Sequence, residues 1–246
     1  MEGTLEGQVA LVTGGSRGIG LAAARGIGRA GATVVLVAQD RERVEAAAET
    51  LRGEGLDAVG YSCDVASADS VQGLQEELGP LAAVDVLVAC AGVMSERMAK
   101  TLRTSPTEWR RVMSVNLDGA FHVIGAFGPG MVERRAGRII TVSACLGRFT
   151  GPGTAGGLAP YRVSKAALNA LTKNLAAELQ LGRRGVLVDA MCPNHCRTDM
   201  GGPDALRSAE EGADTIVWLA TRPAWSAEGS PVETGLLWED RQVVPW

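Results

Sequence analysis

The sequence lacks any apolar run that approaches the roughly 18 residues needed to span a bilayer. It also lacks a long basic tract, and its formal net charge of -4 argues against a surface for nucleic acid or anionic membrane. The start, "MEGTLEGQVALVTGG", has no basic n-region, so we expect no signal peptide. These absences favour a soluble cytoplasmic protein with neither a nucleic-acid nor a membrane partner.

Cysteine is present without the spacing of a disulfide framework. The five cysteines are an odd number, and free thiols in a reducing compartment are the expectation. The stretch "CPNHC" (192–196) contains three potential metal ligands. It lacks a fourth ligand and matches no compact zinc pattern, so we expect no metal site.

No linker, composition break or internal repeat divides the chain, and we expect residues 1–246 to form a single domain. Short apolar runs alternate with helical patterns, which predicts an α/β doubly wound (Rossmann) parallel sheet with helices on both faces. Ligands bind such sheets beyond the carboxyl ends of the strands. The predicted strands are 9–14, 33–38, 57–64, 85–92, 137–144, 185–193 and 233–240, and the predicted helices are 18–31, 41–55, 68–79, 105–131, 159–179 and 208–221.

Local signals refine some of these boundaries. Ser105 is a plausible N-cap with Pro106 at the first helical position. Ser208 and Glu211 have the spacing of a capping box. The glycine-rich stretch 146–160 is expected to form a loop at the mouth of a site.

A glycine-rich turn, "TGGSRGIG" (13–20), follows the first predicted strand. Gly14, Gly18 and Gly20 would allow a tight turn, close backbone approach to a pyrophosphate, and contact between helix and strand. The N-terminus of the next helix offers free N–H groups to phosphates. This placement predicts a dinucleotide site.

The end of the second strand, "VLVAQDRER", bears on the choice of dinucleotide. Gln39 is neutral, and Arg17 and Arg41 could both bind a 2′-phosphate, which favours NADP(H). Asp40 could instead accept hydrogen bonds from a ribose, so NAD(H) stays possible. Each arginine taken singly is equally well interpreted as a solvated surface charge.

Tyr161 and Lys165 lie one turn apart on the predicted helix "APYRVSKAALNALTKNLAAEL" and share a face. That pair alone is common on solvated helix faces. The whole chain, however, resembles the short-chain dehydrogenase/reductases, with a C-terminal part like the carbonyl-reductase-type branch. The resemblance is carried by "TGGSRGIG" (13–20), "CDV" (63–65), "CAG" (90–92), "VNLDGAFH" (115–122), "ITVSA" (140–144), "YRVSK" (161–165) and "CPNHCRTDM" (192–200).

The resemblance implies a sheet of about seven strands and an NAD(P)H-dependent ketoreductase or alcohol dehydrogenase. Its substrate would be a small-molecule carbonyl or secondary alcohol, and a homo-oligomer, dimer or tetramer, is expected. The catalytic residues carried over are Asn116, Ser143, Tyr161 and Lys165. The cofactor-binding residues are Gly14, Ser16, Arg17, Gly18, Ile19, Gly20, Gln39, Arg41, Asp64, Val65, Cys90, Ala91, Gly92, Tyr161, Lys165, Pro193, Asn194, Cys196 and Thr198. The substrate-binding residues are Ser143, Cys145, Tyr161 and His195.

Each member of the catalytic set has a chemical role in this interpretation. Phenol has an ordinary pKa of about 10, and the Lys165 ammonium would lower the pKa of Tyr161 so that it transfers a proton. Ser143 would hydrogen-bond the substrate oxygen. Asn116 would bind a water that links Lys165 to solvent.

Two positions depart from the family pattern. Cys90 stands where asparagine is usual, and it is a weaker hydrogen-bonding group. Asn194 stands where glycine is usual, and asparagine tolerates a positive φ better than most residues. Two other functions stay open: an isomerase or lyase using the same cofactor site without net redox change, and a non-catalytic dinucleotide-binding module.

Overall fold

The computed structural model describes residues 4–95 and 100–246. Within these residues, eight strands form one sheet: β1 (Val9–Thr13), β2 (Thr33–Ala38), β3 (Ala58–Ser62), β4 (Val86–Ala89), β5 (Gly137–Val142), β6 (Val186–Met191), β7 (Leu237–Glu239) and β8 (Gln242–Val244). The α-helices are α1 (Gly18–Arg29), α2 (Arg41–Gly53), α3 (Ala68–Leu78), α4 (Pro106–Met113), α5 (Gly119–Arg134), α6 (Ala159–Glu178) and α7 (Ala209–Thr221). The Ser105 cap and the capping box at Ser208 are confirmed.

The strand order across the sheet is β3-β2-β1-β4-β5-β6-β7-β8. The first seven strands are parallel, and β8 is antiparallel to β7. The predicted doubly wound architecture is therefore confirmed, with one additional strand. The chain direction across the sheet reverses at β1, whose neighbours are β2 and β4, and ligands bind at such a switch point.

Side chains of the continuously apolar strands alternate between two hydrophobic layers. Leu11 of β1 packs in the layer formed with α3, α5 and α6, whereas Val12 packs in the layer with α1, α2 and α7. Both residues are fully buried. Because both faces of the sheet are buried, the strand sequences are unbroken apolar runs and do not alternate between apolar and polar residues.

The predicted helix 105–131 is interrupted. Helix α4 ends at Met113, one π-helical turn follows at Ser114–Asp118, and α5 continues from Gly119. A π-turn holds an extra residue in the helix and redirects its side chains. Periodicity did not predict it, because its effect is confined to the five residues around Asn116.

The predicted last strand, 233–240, is shorter than expected. Gly235 has φ 78°, which breaks the extended backbone, and β7 begins only at Leu237. Asp240 and Arg241 have φ of 51° and 60° and form the turn into β8. Tight hairpin turns usually signal themselves by Asn-Gly or Asp-Gly, and this one lacks glycine, so β8 was not predicted.

Candidate active site

A cleft of about 930 Å³ crosses the carboxyl end of the sheet. It extends from the glycine turn, past the end of β2, to Ser143, Tyr161 and Lys165. Its volume is near the upper end of the roughly 300–1,000 Å³ typical of ligand sites. The cleft is lined by most of the residues predicted to bind cofactor: Gly14, Ser16, Arg17, Gly18, Ile19, Gly20, Gln39, Asp64, Val65, Cys90, Ala91, Gly92, Tyr161, Lys165, Pro193 and Thr198.

The glycine turn has the backbone that its sequence predicts. Gly14 and Gly18 have φ of 67° and 53°, in the left-handed region that favours glycine. A Cβ on Gly14 would lie 3.0 Å from Cα of Ala91, and one on Gly20 would collide with the carbonyl oxygen of Gly14. Helix α1 starts with no side-chain cap and no acidic residue in its first turn. Its free N–H groups and positive dipole end therefore suit the phosphates of a dinucleotide.

At the end of β2 the acidic side chain is already engaged. The Asp40 carboxylate accepts a hydrogen bond from N of Arg43 at 3.1 Å as the N-cap of α2, and it forms an ion pair with the Arg43 side chain at 3.1 Å. Gln39 donates to Asp64 at 3.4 Å. Arg43 lines the cleft, and Arg41, the arginine that was predicted to do so, is not part of the described lining.

Arg17 links the two sides of the cleft. Its guanidinium forms an ion pair with Asp199, in the loop that follows β6. Both side chains are largely exposed, at 60% and 73%. An exposed pair of this kind contributes little to stability, so a phosphate could replace Asp199 as the partner of Arg17.

Ser143, Tyr161 and Lys165 lie together at the far end of the cleft, and all three are buried. Ser143 directly follows β5, and the other two residues belong to the first turns of α6. The Lys165 Nζ donates to the carbonyl oxygen of Val142 at 2.7 Å and lies 5.8 Å from the centre of the Tyr161 ring. The fold thus brings the residues of β5 and α6 into one constellation.

The electrostatics of this constellation differ from the expectation. Burial raises the pKa of Tyr161 above its ordinary value, and the nearby thiols of Cys192, Cys145 and Cys90 raise it further. Burial lowers the pKa of Lys165 to about 8, although Cys90 and Cys192 oppose that shift. The prediction of a lowered Tyr161 pKa is therefore wrong, because desolvation of the buried hydroxyl dominates its pKa.

The Asn116 side chain is held by its hydrogen bonds inside the π-turn. Its Oδ1 accepts from N of Val93 at 2.7 Å, and its Nδ2 donates to O of Val93 at 3.0 Å and to Oγ of Ser164 at 3.0 Å. Both amide protons are thus used, and only Oδ1 keeps a free lone pair. The position where a Cβ would stand on Gly92 is 3.4 Å from that Oδ1 and 3.6 Å from Nζ of Lys165. Asn116 and Lys165 therefore both approach the backbone at Gly92, where a side chain would contact them.

A family model described as short chain dehydrogenase matches residues 8–208. The chain belongs to the short chain dehydrogenase family. It is 39% identical over 202 residues to a 3-oxoacyl-[acyl-carrier-protein] reductase of Aquifex aeolicus, over 81% of this chain and 78% of the relative.

Two solved structures are similar over most of this short chain dehydrogenase. A 3-oxoacyl-[acyl-carrier protein] reductase with bound NAD from Brucella melitensis has a TM-score of 0.82 and 33% identity, covering 96% of this chain and 90% of that chain. A gluconate 5-dehydrogenase from Burkholderia cenocepacia, in complex with NADP and tartrate, has a TM-score of 0.78 and 30% identity, covering 88% of this chain and 89% of that chain. The predicted class of enzyme is thereby confirmed: this short chain dehydrogenase is an NAD(P)-dependent oxidoreductase.

Six predicted site residues of this short chain dehydrogenase are absent from the described cleft lining: Arg41 and Asn116, described above, and Cys145, Asn194, His195 and Cys196. Asn194 has φ 60°, as expected where glycine is usual, and its N–H donates to Sγ of Cys192 at 3.4 Å. Cys196 is buried, and its thiol donates to O of Pro193 at 3.1 Å. His195 is exposed, and its Nε2 lies 2.7 Å from O of Gly201. The contacts of Cys196 and His195 therefore hold these two side chains against the loop itself.

Other residues of the cleft were not predicted. They include Ala38, Arg43, Cys63, Val93, Val115, Val142, Arg197, Asp199 and Glu210. Arg43 could have been found from its spacing, since it stands three residues after an N-cap aspartate and so faces back toward the end of β2. The residues after 196 lie in an irregular loop, for which the sequence offered no periodic signal. Across the described residues, no helix has the length and hydropathy that crossing a membrane requires.

Proposed function

We propose that this chain is an NADP(H)-dependent ketoreductase in which Tyr161 protonates the oxygen of a bound carbonyl substrate. The observation that supports this most is the burial of Ser143, Tyr161 and Lys165 together at one end of a cleft that begins at the glycine turn. When bound, the cofactor supplies the hydride for reduction or accepts it in oxidation. The protein's own groups then have to orient the substrate and move one proton.

Tyr161 holds the proton that the reduction of a carbonyl consumes. Because its pKa is raised, the hydroxyl keeps its proton near neutral pH. It is therefore ready to donate that proton when negative charge develops on the substrate oxygen. Ser143 donates a second hydrogen bond to the same oxygen. Oxidation of an alcohol is the reverse reaction, in which Tyr161 would accept the proton.

NADP(H) is the cofactor that the charges of the cleft favour. Gln39 is neutral, and the Asp40 carboxylate is engaged by its own helix and by Arg43. Arg17 and Arg43 then remain as cations that could contact a 2′-phosphate. The Burkholderia cenocepacia enzyme binds NADP, whereas the Brucella melitensis enzyme binds NAD. NAD(H) use at lower efficiency fits both observations.

Arginine substitutions test this preference. Arg43→Ala and Arg17→Ala should each lower kcat/KM for NADPH about ten- to a hundredfold, the value of one charge-assisted hydrogen bond, and leave NADH use unchanged. Arg41→Ala is the matched control, because Arg41 lies two residues away on α2 and outside the described lining. Equal losses with NADH and NADPH would contradict the assignment.

The surroundings of Tyr161 suggest the class of substrate. Tyr161 packs with Val112 and Ala144 in a small apolar cluster that Val93, Met94, Leu146 and Leu158 complete. Such a wall favours a carbonyl flanked by an apolar chain, as in a 3-oxoacyl thioester, over a sugar acid covered in hydroxyls. The Aquifex aeolicus relative is a reductase of 3-oxoacyl groups.

The test is NADPH consumption with a short 3-oxoacyl thioester and, in parallel, with a ketogluconate. We expect turnover of the thioester, and Tyr161→Phe should lower kcat about 10²- to 10⁴-fold while NADPH still binds. Turnover of the ketogluconate alone would contradict the substrate class. Normal turnover by Tyr161→Phe would contradict the proton donor.

We further propose a single cytoplasmic domain that forms a homodimer or homotetramer. All five cysteines are free, as suits a reducing compartment. Phe121 of α5 is 60% exposed and Val163 of α6 is 42% exposed, so these helices carry apolar side chains that a second copy could cover. Light scattering of the purified protein distinguishes an oligomer from a monomer.

A further inference from the structure

The ion pair between Arg17 and Asp199 joins the glycine turn to the loop that follows β6. Among the residues that the structure describes, each of these two charged side chains has the other as its single hydrogen-bonded partner. Both residues line the cleft, and both side chains are largely exposed. A cation of the cofactor cleft is thus already paired with an anion of the protein itself.

The backbone around Asp199 holds that residue beside the glycine turn. N of Gly202 donates to O of Thr198 at 2.8 Å, which closes a tight turn around Asp199. The position where a Cβ would stand on Gly18 is 3.1 Å from Cγ2 of Thr198, so this turn lies in contact with the start of α1. Arg17 is the N-cap residue of the same helix. The contact between the two backbones therefore explains why the carboxylate reaches this arginine.

Two other arginines of the cleft, Arg25 and Arg43, have carboxylate partners of a different kind. Arg43 pairs with Asp40 at 3.1 Å, and Asp40 is fixed in place as the N-cap of α2. Arg25 binds both carboxylate oxygens of Glu54, at 2.8 and 2.9 Å, and Glu54 is absent from the described lining. Asp199 differs from Asp40 because it has no cap bond, and from Glu54 because it faces the cleft.

A phosphate that binds Arg17 would compete with this carboxylate. A phosphate monoester such as the 2′-phosphate of NADP(H) carries a charge of about −1.5 to −2 at pH 7 and presents three acceptor oxygens to a guanidinium. Two anions around one cation repel each other, so the phosphate binds best after the carboxylate has left. NAD(H) has a hydroxyl in place of that phosphate and leaves the ion pair intact.

We propose that Asp199 is a specificity-determining residue, an internal competitor that weakens the binding of a 2′-phosphate by occupying Arg17. This inference rests on the proposed NADP(H) site. An exposed ion pair is populated about one- to fivefold over its separated charges. Releasing Arg17 therefore costs a 2′-phosphate about two- to sixfold in affinity, and Asp199 reduces the preference for NADP(H) over NAD(H) by the same factor.

The experiment measures Kd by calorimetry for two ligands that differ only in the 2′-phosphate, 2′-phospho-ADP-ribose and ADP-ribose. Asp199→Asn should bind 2′-phospho-ADP-ribose about two- to sixfold more tightly than the native protein does. Its Kd for ADP-ribose should be unchanged. Asp204→Asn is the matched control, because Asp204 is an exposed carboxylate of the same loop and lies outside the described lining. That control should leave both Kd values unchanged.

A double-mutant cycle tests whether Arg17 carries the effect. In the Arg17→Ala protein no guanidinium remains for the two anions to share. The further substitution Asp199→Asn should then change the Kd of 2′-phospho-ADP-ribose by less than about twofold.

Three results would overturn the proposal: an unchanged Kd of 2′-phospho-ADP-ribose in Asp199→Asn, equal tightening of both ligands, or the same gain in the Arg17→Ala background. The proposed cofactor preference is tested separately by the native protein, where equal Kd values for the two ligands would contradict it. Failure of the competitor and failure of the NADP(H) assignment are therefore distinguishable.

Discussion

Replacing Gly92 by alanine tests whether the space beside Lys165 is needed for proton transfer. The nearest neighbours of the added methyl would be Asn116 Oδ1 at 3.4 Å, Lys165 Nζ at 3.6 Å and O of Cys90 at 3.9 Å. These are ordinary van der Waals distances, and the backbone of Gly92 lies outside the left-handed region. The fold should therefore accept the substitution. The methyl would nevertheless crowd a water that joined the lysine to the asparagine.

The expected loss follows from the hydrogen bond that this water would make. A hydrogen bond to a charged group contributes about 1.5–3 kcal/mol, which corresponds to about ten- to a hundredfold in rate. The Lys165 ammonium already has a lowered pKa because it is buried, and losing a solvating water would disfavour its charged form further. We expect kcat for reduction to fall by that factor and NADPH binding to persist.

The assay is NADPH consumption at saturating substrate, with the NADPH Kd measured by fluorescence. Gly73→Ala is the matched control, because Gly73 is exposed on α3 and an added Cβ would meet nothing within 4 Å. That control should keep kcat and gain about 0.5–1 kcal/mol in helix stability. An unchanged kcat in Gly92→Ala would refute the reasoning, and so would loss of NADPH binding, since the space would then belong to the cofactor.

Three further results are expected. Asp189→Ala should lower the free energy of unfolding, measured in urea, by about 3–5 kcal/mol, because the substitution leaves the buried Arg222 guanidinium without its ion-pair partner. A change under about 1 kcal/mol would contradict this. Lys165 loses its proton as the pH rises through about 8, its lowered pKa. Because kcat/KM reports the ionisation of the free enzyme, it should decline above that pH. A level profile of kcat/KM up to about pH 10 would contradict the role of Lys165. Gly20→Ala should abolish NADPH binding, since its Cβ would collide with O of Gly14, and calorimetry that detects normal binding would count against that geometry.

Residues whose role depends on local backbone could be predicted from the sequence. The glycine spacing after β1 allows few conformations, and the observed φ of 67° at Gly14 is one that glycine adopts readily. Asn194 likewise has the positive φ that its position required. The α/β class followed from the periodicity of strands and helices.

Properties set by distant parts of the chain could not be predicted in this way. The raised pKa of Tyr161 depends on burial and on thiols that lie far away in sequence, at positions 90 and 192. His195 pairs with a carbonyl of its own loop, which no periodic pattern signals. Arg41 and Arg43 lie on the same helix and point in different directions around its axis. Which of the two faces the cleft depends on where the helix begins, at Arg41.

The π-turn at Ser114–Asp118 has a consequence for how this helix could be shortened. Deleting one residue there would let α4 run into α5 as a single straight rod with regular backbone hydrogen bonds. It would also change the direction in which the side chains of the turn itself point, and the Asn116 amide would leave Val93. An uninterrupted α-helix and the observed position of the Asn116 amide are therefore incompatible at this point of the chain, and the protein has the interrupted helix.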